Sequence, residues 1–217
     1  MIIKHSNIFP TFVSEFDLTG HESNSLVIEK IDTYYEKKDP TLYNNNKERF
    51  LNELDMIELW KTIQECCDIY CENANIKPVI VGSNWINALR LNNNLRAHTH
   101  PTSVISGAYY PHIETQESPV IFENPASSRI KEHNIRRIMR NVDNTSGLSK
   151  KDYEVNDIEF YPQNESLILF PSYLTHYVNS LKTHKRYTVV FNTLLYSERK
   201  AFQPYIRDYR IESHEDK

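Results

Sequence analysis

The stretch Arg96-Ala97-His98-Thr99-His100-Pro101-Thr102-Ser103, running on into Val104-Ile105-Ser106-Gly107-Ala108-Tyr109-Tyr110, decides the fold. β-Branched and aromatic residues flank a proline that cannot donate to a ladder, so it reads as a strand, a tight Pro-Thr-Ser turn and a second strand. Residues two apart on a strand share a face, and His98 and His100 are therefore expected to present two imidazoles into one cavity. Far along the chain, Phe170-Pro171-Ser172-Tyr173-Leu174-Thr175-His176 brings a third histidine, and Arg186 follows ten positions later. Two ligands from one strand, a third from a distant strand and a nearby guanidinium suggest an iron site with an anionic co-substrate.

Outward from this stretch the pattern is mostly β. Val79 to Leu91 is strand-like, with polar residues at 83, 87 and 90 that could face a cavity, and Asn92 to Asn94 form a turn into the histidine strand. Further strands are expected at Ser118–Phe122, Ile158–Tyr161, Ser166–Phe170, Thr175–Asn179 and Arg186–Tyr196, the last with Arg186, Thr188, Val190 and Asn192 on one face. Residues 7 to 18 alternate beyond Pro10 and suggest an edge strand. Short strands between regularly spaced turns indicate a jelly-roll, two facing sheets with a ligand between them.

Two helices precede the β-rich half. Leu26, Val27, Ile28, Ile31, Tyr34 and Tyr35 recur at helical spacing from Ser23 to Lys38, where Asp39-Pro40 ends the run. A longer apolar stripe, including Leu54, Trp60, Ile63 and Cys67, predicts a helix from Lys47 to Ala74. Both are expected to cover one outer face of a sheet. Residues 126–157 interrupt the β pattern as a long polar insert, readable as a lid, a binding element or a partly disordered segment, with room for a short helix near 129–141. The charged tail from Ser197 is expected to fray. The 217 residues read as one domain, with a helical elaboration over about 22–76.

Composition narrows the function classes. Lysine and arginine number 25 against 29 acidic residues, a formal charge of -4 with both signs interspersed, which lacks the footprint of a nucleic-acid binder. Three cysteines, Cys66, Cys67 and Cys71, are an odd number in a helical stretch and read as reduced core thiols rather than a disulfide framework or a paired zinc site. No apolar run is long enough for a signal peptide or a membrane span, so the expected setting is cytoplasmic, or a host's cytoplasm, with a homodimer left open.

A lone histidine on a strand is usually a hydrogen-bonded core or surface residue. A His-x-His pair on one face is an awkward polar load for a half-buried strand, and His176 together with Arg186 turns the balance toward a metal. Imidazole suits iron, copper, nickel and zinc alike. Arg186 favours iron with a carboxylate co-substrate, against its plainer reading as a surface cation in Lys182-Thr183-His184-Lys185-Arg186.

The strings His98-Thr99-His100-Pro101-Thr102-Ser103, Ser106-Gly107-Ala108-Tyr109-Tyr110, Phe170-Pro171-Ser172-Tyr173-Leu174-Thr175-His176 and Arg186 with Phe191-Asn192, in this order, resemble the 2-oxoglutarate- and iron(II)-dependent oxygenases of bacteria and phages. Ile8-Phe9-Pro10-Thr11 resembles that group's usual start. The resemblance covers most of the chain, leaving out the insert and the tail. It implies a double-stranded β-helix with Fe(II) at one end, His98 and His176 as ligands, and Arg186 paired with the distal carboxylate of 2-oxoglutarate. Asn87, Tyr109 or Tyr110, and Asn192 on the face of Arg186, would be further co-substrate contacts. The implied activity is hydroxylation of a C–H bond in a small-molecule or peptide substrate, with release of succinate and carbon dioxide and the insert closing over the mouth.

The chain departs from the wider superfamily at position 100, where an aspartate or glutamate usually stands. If His100 coordinates, the centre has three histidines and the ferrous ion keeps its full charge; if not, Glu114 or Glu123 are the carboxylates to inspect. Two other readings remain open. A cupin-like dioxygenase or isomerase without 2-oxoglutarate would carry a glutamate three to five positions after the pair, where Ser103, Val104 and Ile105 stand. A non-enzymatic phage or bacterial binding protein is the other.

Overall fold

In the computed structural model, residues 11–36, 49–115, 118–125, 157–182 and 185–196 are described. Among these residues, helix α1 (Asn24–Glu36) and helix α2 (Ile57–Ala74) lie among nine strands: β1 (Ser14–Asp17), β2 (Val79–Leu89), β3 (Leu95–His98), β4 (Ile105–Ile113), β5 (Val120–Glu123), β6 (Asp157–Phe160), β7 (Ser166–Pro171), β8 (His176–Val178) and β9 (Arg186–Leu195). They form a five-stranded sheet in the order β1-β7-β4-β9-β2 and a four-stranded sheet in the order β3-β8-β5-β6, antiparallel at every pairing. This is the double-stranded β-helix, and β1 takes the edge position expected of it.

Alternation along the central strands divides two cores. Tyr109, Leu167, Leu169, Tyr187, Val189 and Phe191 point to the helix side and pack with Val27, Ile31, Leu59 and Ile63. Their neighbours Ala108, Tyr110, Ile168 and Phe170 point the other way and meet Val120 and Phe122 of the smaller sheet. Gly107 sits opposite Phe191 in register, and a Cβ there would overlap the Phe191 ring, so the close approach of β4 and β9 requires glycine.

Helix α2 begins ten residues later than the stripe predicts. The segment from Phe50 to Met56 forms two 3-10 turns, Phe50–Asn52 and Leu54–Met56. Tertiary hydrogen bonds override helical propensity here: Asn84 on β2 accepts the Leu51 N–H at 2.8 Å through Oδ1 and the Arg49 N–H at 2.7 Å through its carbonyl. α2 then buries Leu59, Ile63, Cys67, Tyr70 and Cys71 along one side and ends at Asn75 in the left-handed conformation, φ 52°. α1 is tied to the sheet by Asp32, which accepts the Tyr187 hydroxyl and pairs with Lys185 at 2.8 Å.

Ile8-Phe9-Pro10, the 126–156 part of the insert with its expected short helix, and the tail from 197 lie outside the described residues.

Candidate metal and co-substrate site

His98 and His176 are register partners across β3 and β8, which fixes one pair of imidazoles by the ladder itself. His100 arrives differently. β3 ends at His98, and the chain bends through Pro101 and Thr102, the latter at φ 72°. The expectation that His98 and His100 share one strand face is thus corrected: His100 lies past the strand, held by its backbone N–H to the Ser172 carbonyl at 2.9 Å. The three rings still converge, with centroids 5.1 Å apart for His98–His100, 4.3 Å for His98–His176 and 5.1 Å for His100–His176. One nitrogen from each lies within 4.8 Å of the others, and no Asp or Glu of the described residues joins the group.

The hydrogen bonds select the ligand tautomer. Nδ1 of His176 lies 2.9 Å from the Leu174 carbonyl and Nδ1 of His98 lies 2.7 Å from the Arg96 carbonyl. A carbonyl can only accept, so each Nδ1 carries the proton and each Nε2 presents a lone pair to the centre. Burial of His100 and His176 pushes both pKa values down to about 4, the neighbouring imidazoles adding to the effect, so both are neutral at physiological pH. Nε2 of His100 and Nε2 of His176 are 3.3 Å apart. Two nitrogens each about 2.1 Å from one ion and roughly at right angles around it would be separated by about 3 Å, so the spacing fits a shared cation. The donor set is all imidazole, which suits a first-row divalent metal such as Fe(II).

A cavity of about 760 Å³ opens beside the imidazoles, and Arg186 lies in its wall. The guanidinium is 2% exposed; Nη1 donates to the Ser118 carbonyl at 2.7 Å, Nη2 lies 3.4 Å from the Tyr110 hydroxyl, and the group stacks 5.1 Å from the Tyr110 ring centroid. No carboxylate of the described residues pairs with it, and its Nε has no hydrogen-bond partner. A buried cation with an unsatisfied donor is costly until an anion meets it, which fits a carboxylate co-substrate.

The other expected contacts separate cleanly. Asn87 and Tyr110 line the cavity. Tyr109 does not: it faces the helices and donates its hydroxyl to Asn24 Oδ1 at 2.9 Å. Asn192 is also outside the lining and instead accepts from Ser106 Oγ at 2.8 Å, in a buried cluster where Ser106 also meets Ser172 at 2.8 Å, beneath the turn that carries His100. Trp85, whose ring lies 5.7 Å from His100, the Ser118 carbonyl and Arg96 at the rim join the site without having been among the expected contacts. Position two before His98 was the available signal for Arg96; the carbonyl of a loop residue leaves none.

A jelly-roll with three imidazoles and a buried arginine around one cavity has the donor set for a divalent cation and, beside it, donors for an anion. Residues 83–192 match the family model described as "Putative 2OG-Fe(II) oxygenase", and the chain belongs to that family, whose members use Fe(II) and 2-oxoglutarate. The solved structures agree on the fold. HygX from Streptomyces hygroscopicus with iron bound is 9% identical with a TM-score of 0.54, covering 86% of this chain and 83% of that one. A Pseudomonas putida prolyl-4-hydroxylase is 8% identical with a TM-score of 0.52, covering 84% and 92%. A prolyl hydroxylase from Trichoplax adhaerens, in complex with a hypoxia inducible factor peptide fragment, is 10% identical with a TM-score of 0.55, covering 87% and 86%. Among curated proteins none matches by sequence. Family membership sets aside the cupin-like and non-enzymatic alternatives. Among the described residues no helix is long and apolar enough to cross a membrane.

Proposed function

We propose that His98, His100 and His176 hold the Fe(II) of this oxygenase as a three-histidine face, and that Arg186 binds the distal carboxylate of 2-oxoglutarate with Tyr110 and Asn87 beside it. The observation that carries this reading is the pairing, in one cavity, of three converging imidazoles with a buried guanidinium that no carboxylate of the described residues meets. Fe(II) and 2-oxoglutarate, held by these residues, would supply the chemistry of dioxygen-dependent C–H oxidation, with succinate and carbon dioxide as co-products. The protein's own work is positional. Carbonyls of Arg96 and Leu174 lock the imidazole tautomers. Ser118 and Tyr110 hold the guanidinium plane, so the co-substrate meets a donor already oriented. Trp85, Leu89, Val120 and Phe170 supply an apolar wall that keeps bulk water from the reacting carbon.

The reaction is hydroxylation of an aliphatic C–H bond in a small molecule or peptide. The free, buried state of Cys66, Cys67 and Cys71 supports a reducing, cytoplasmic setting, that of the host where a phage encodes the chain.

Anaerobic titration of Fe(II), followed by succinate measurement, tests the assignment. Wild type is expected to bind one Fe(II) and to form succinate from 2-oxoglutarate only with iron present. His176→Ala and His100→Ala should each weaken iron binding by at least about 100-fold, beyond the effect of losing an outer hydrogen bond. Full iron affinity in His100→Ala would remove it from the ligand set and return attention to a carboxylate.

A further inference from the structure

We infer that the primary substrate of this enzyme is an anion with an aliphatic body, and that Arg96 at the cavity rim holds its charged head. The inference rests on the three-histidine reading above and concerns the same cavity. Among the described residues no aspartate or glutamate lines that cavity, while two arginines, Arg96 and Arg186, do. Neutral imidazoles leave a ferrous ion its two positive charges, and the two guanidiniums add one each. The 2-oxoglutarate dianion offsets two of these four, so two remain when the co-substrate is in place. A ligand of opposite sign is the one such a cavity attracts, and a cationic substrate is disfavoured.

The position of Arg96 gives the surplus a place. It stands two residues before His98 on β3, about 7 Å along an extended strand from the metal ligand. Its carbonyl is already committed to His98 Nδ1, which fixes the backbone from which the side chain projects. Arg96 is exposed and lines both this cavity and the adjoining outer groove of about 320 Å³, where Glu123 is the one acidic residue among the described lining. No carboxylate of the described residues pairs with it. Asn92 and Asn93 flank the same rim and add amide dipoles without adding charge. The cavity wall also has apolar Leu89, Leu95, Val178 and Val190, of which Leu95 and Val178 border the outer groove as well. An anionic head at Arg96 would therefore leave a short aliphatic segment lying toward the imidazoles, where the C–H bond must be.

Anaerobic calorimetric titration of the Fe(II) protein saturated with 2-oxoglutarate, using hexanoate, hexyl phosphate, hexanamide and hexylamine as probes, tests this without turnover. Hexanoate or hexyl phosphate should bind, and whichever is tighter tells carboxylate from phosphate recognition; hexanamide and hexylamine should bind at least 10-fold more weakly. Arg96→Gln should weaken the better anion by about 10-fold or more, the loss of one charge-assisted contact. Arg96→Lys should restore part of it, and 2-oxoglutarate, held at Arg186, should lose less affinity in Arg96→Gln than the anionic probe does. Equal binding of acid and amide, no binding of either anion, or an Arg96→Gln protein that binds the anion as wild type does, would overturn the inference. Failure of 2-oxoglutarate itself to bind would instead strike the co-substrate assignment. Because Arg96 is exposed, both variants are expected to fold, and a thermal melt beside each titration checks it.

Discussion

The two faces of the five-stranded sheet carry opposite chemistry from the same strands. On β9, Tyr187, Val189 and Phe191 enter the helix-backed core, while Arg186, Thr188 and Val190 line the cavity. On β4, Tyr109 goes to the first face and Tyr110 to the second. The helix side satisfies itself: Tyr109 meets Asn24, and Tyr187 meets Asp32. The cavity side keeps an unsatisfied Arg186 Nε and three imidazoles turned toward one point. Stability is thus concentrated on one side of a sheet one residue thick, and unfilled binding capacity on the other.

The sharpest way to break this contrast is Arg186→Met. The variant should bind 2-oxoglutarate about 30- to 1000-fold more weakly, the cost of about 2–4 kcal/mol for truncating one partner of a buried charge pair. Its ligand-free melting temperature should not fall, because the substitution removes a buried cation that pairs with no carboxylate among the described residues. Calorimetric titration and a melt on the same sample check both halves, and a large loss of ligand-free stability would show that Arg186 is a structural residue first.

Gly107→Ala probes the opposite face. The added Cβ meets the Phe191 ring, so unfolding free energy should drop by about 1–3 kcal/mol in a denaturant titration, with iron and 2-oxoglutarate affinities of the folded protein preserved.

The finest comparison is Tyr109→Phe against Tyr110→Phe. The first should cost about 1 kcal/mol of stability through the lost bond to Asn24 and leave co-substrate binding alone. The second should raise the Kd for 2-oxoglutarate a few-fold, since Tyr110 steadies the guanidinium at the long distance of 3.4 Å. Equal effects on binding would blur the two faces.

Much of this division was legible in the order of residues. Period-two alternation alone placed Arg186 and Thr188 on one side of a strand, and the turn chemistry around Pro101 located the histidine segment. Adjacent aromatics defeat the same logic: Tyr109-Tyr110 reads equally well in either register, and only the pairing of β4 with β7 and β9 decides which hydroxyl meets the cavity. Strand-face alternation puts His100 in this cluster for an incomplete reason, because a chain leaving its strand after His98 can still bring an imidazole back when a distant carbonyl, that of Ser172, anchors it. The early helix was overextended since 3-10 turns share apolar spacing with an α-helix, and the Asn84 contacts that settle the matter lie 33 positions from Leu51.

His100 and His176 are separated by 76 positions along the chain yet face each other across 3.3 Å. A cation gripped by both would draw the folding equilibrium toward the native state by mass action, since the unfolded chain does not hold the two imidazoles together. A newly made polypeptide could not close that grip until residue 176 has emerged, so under the proposed ligand set tight capture of iron would report that β3 and β8 have paired.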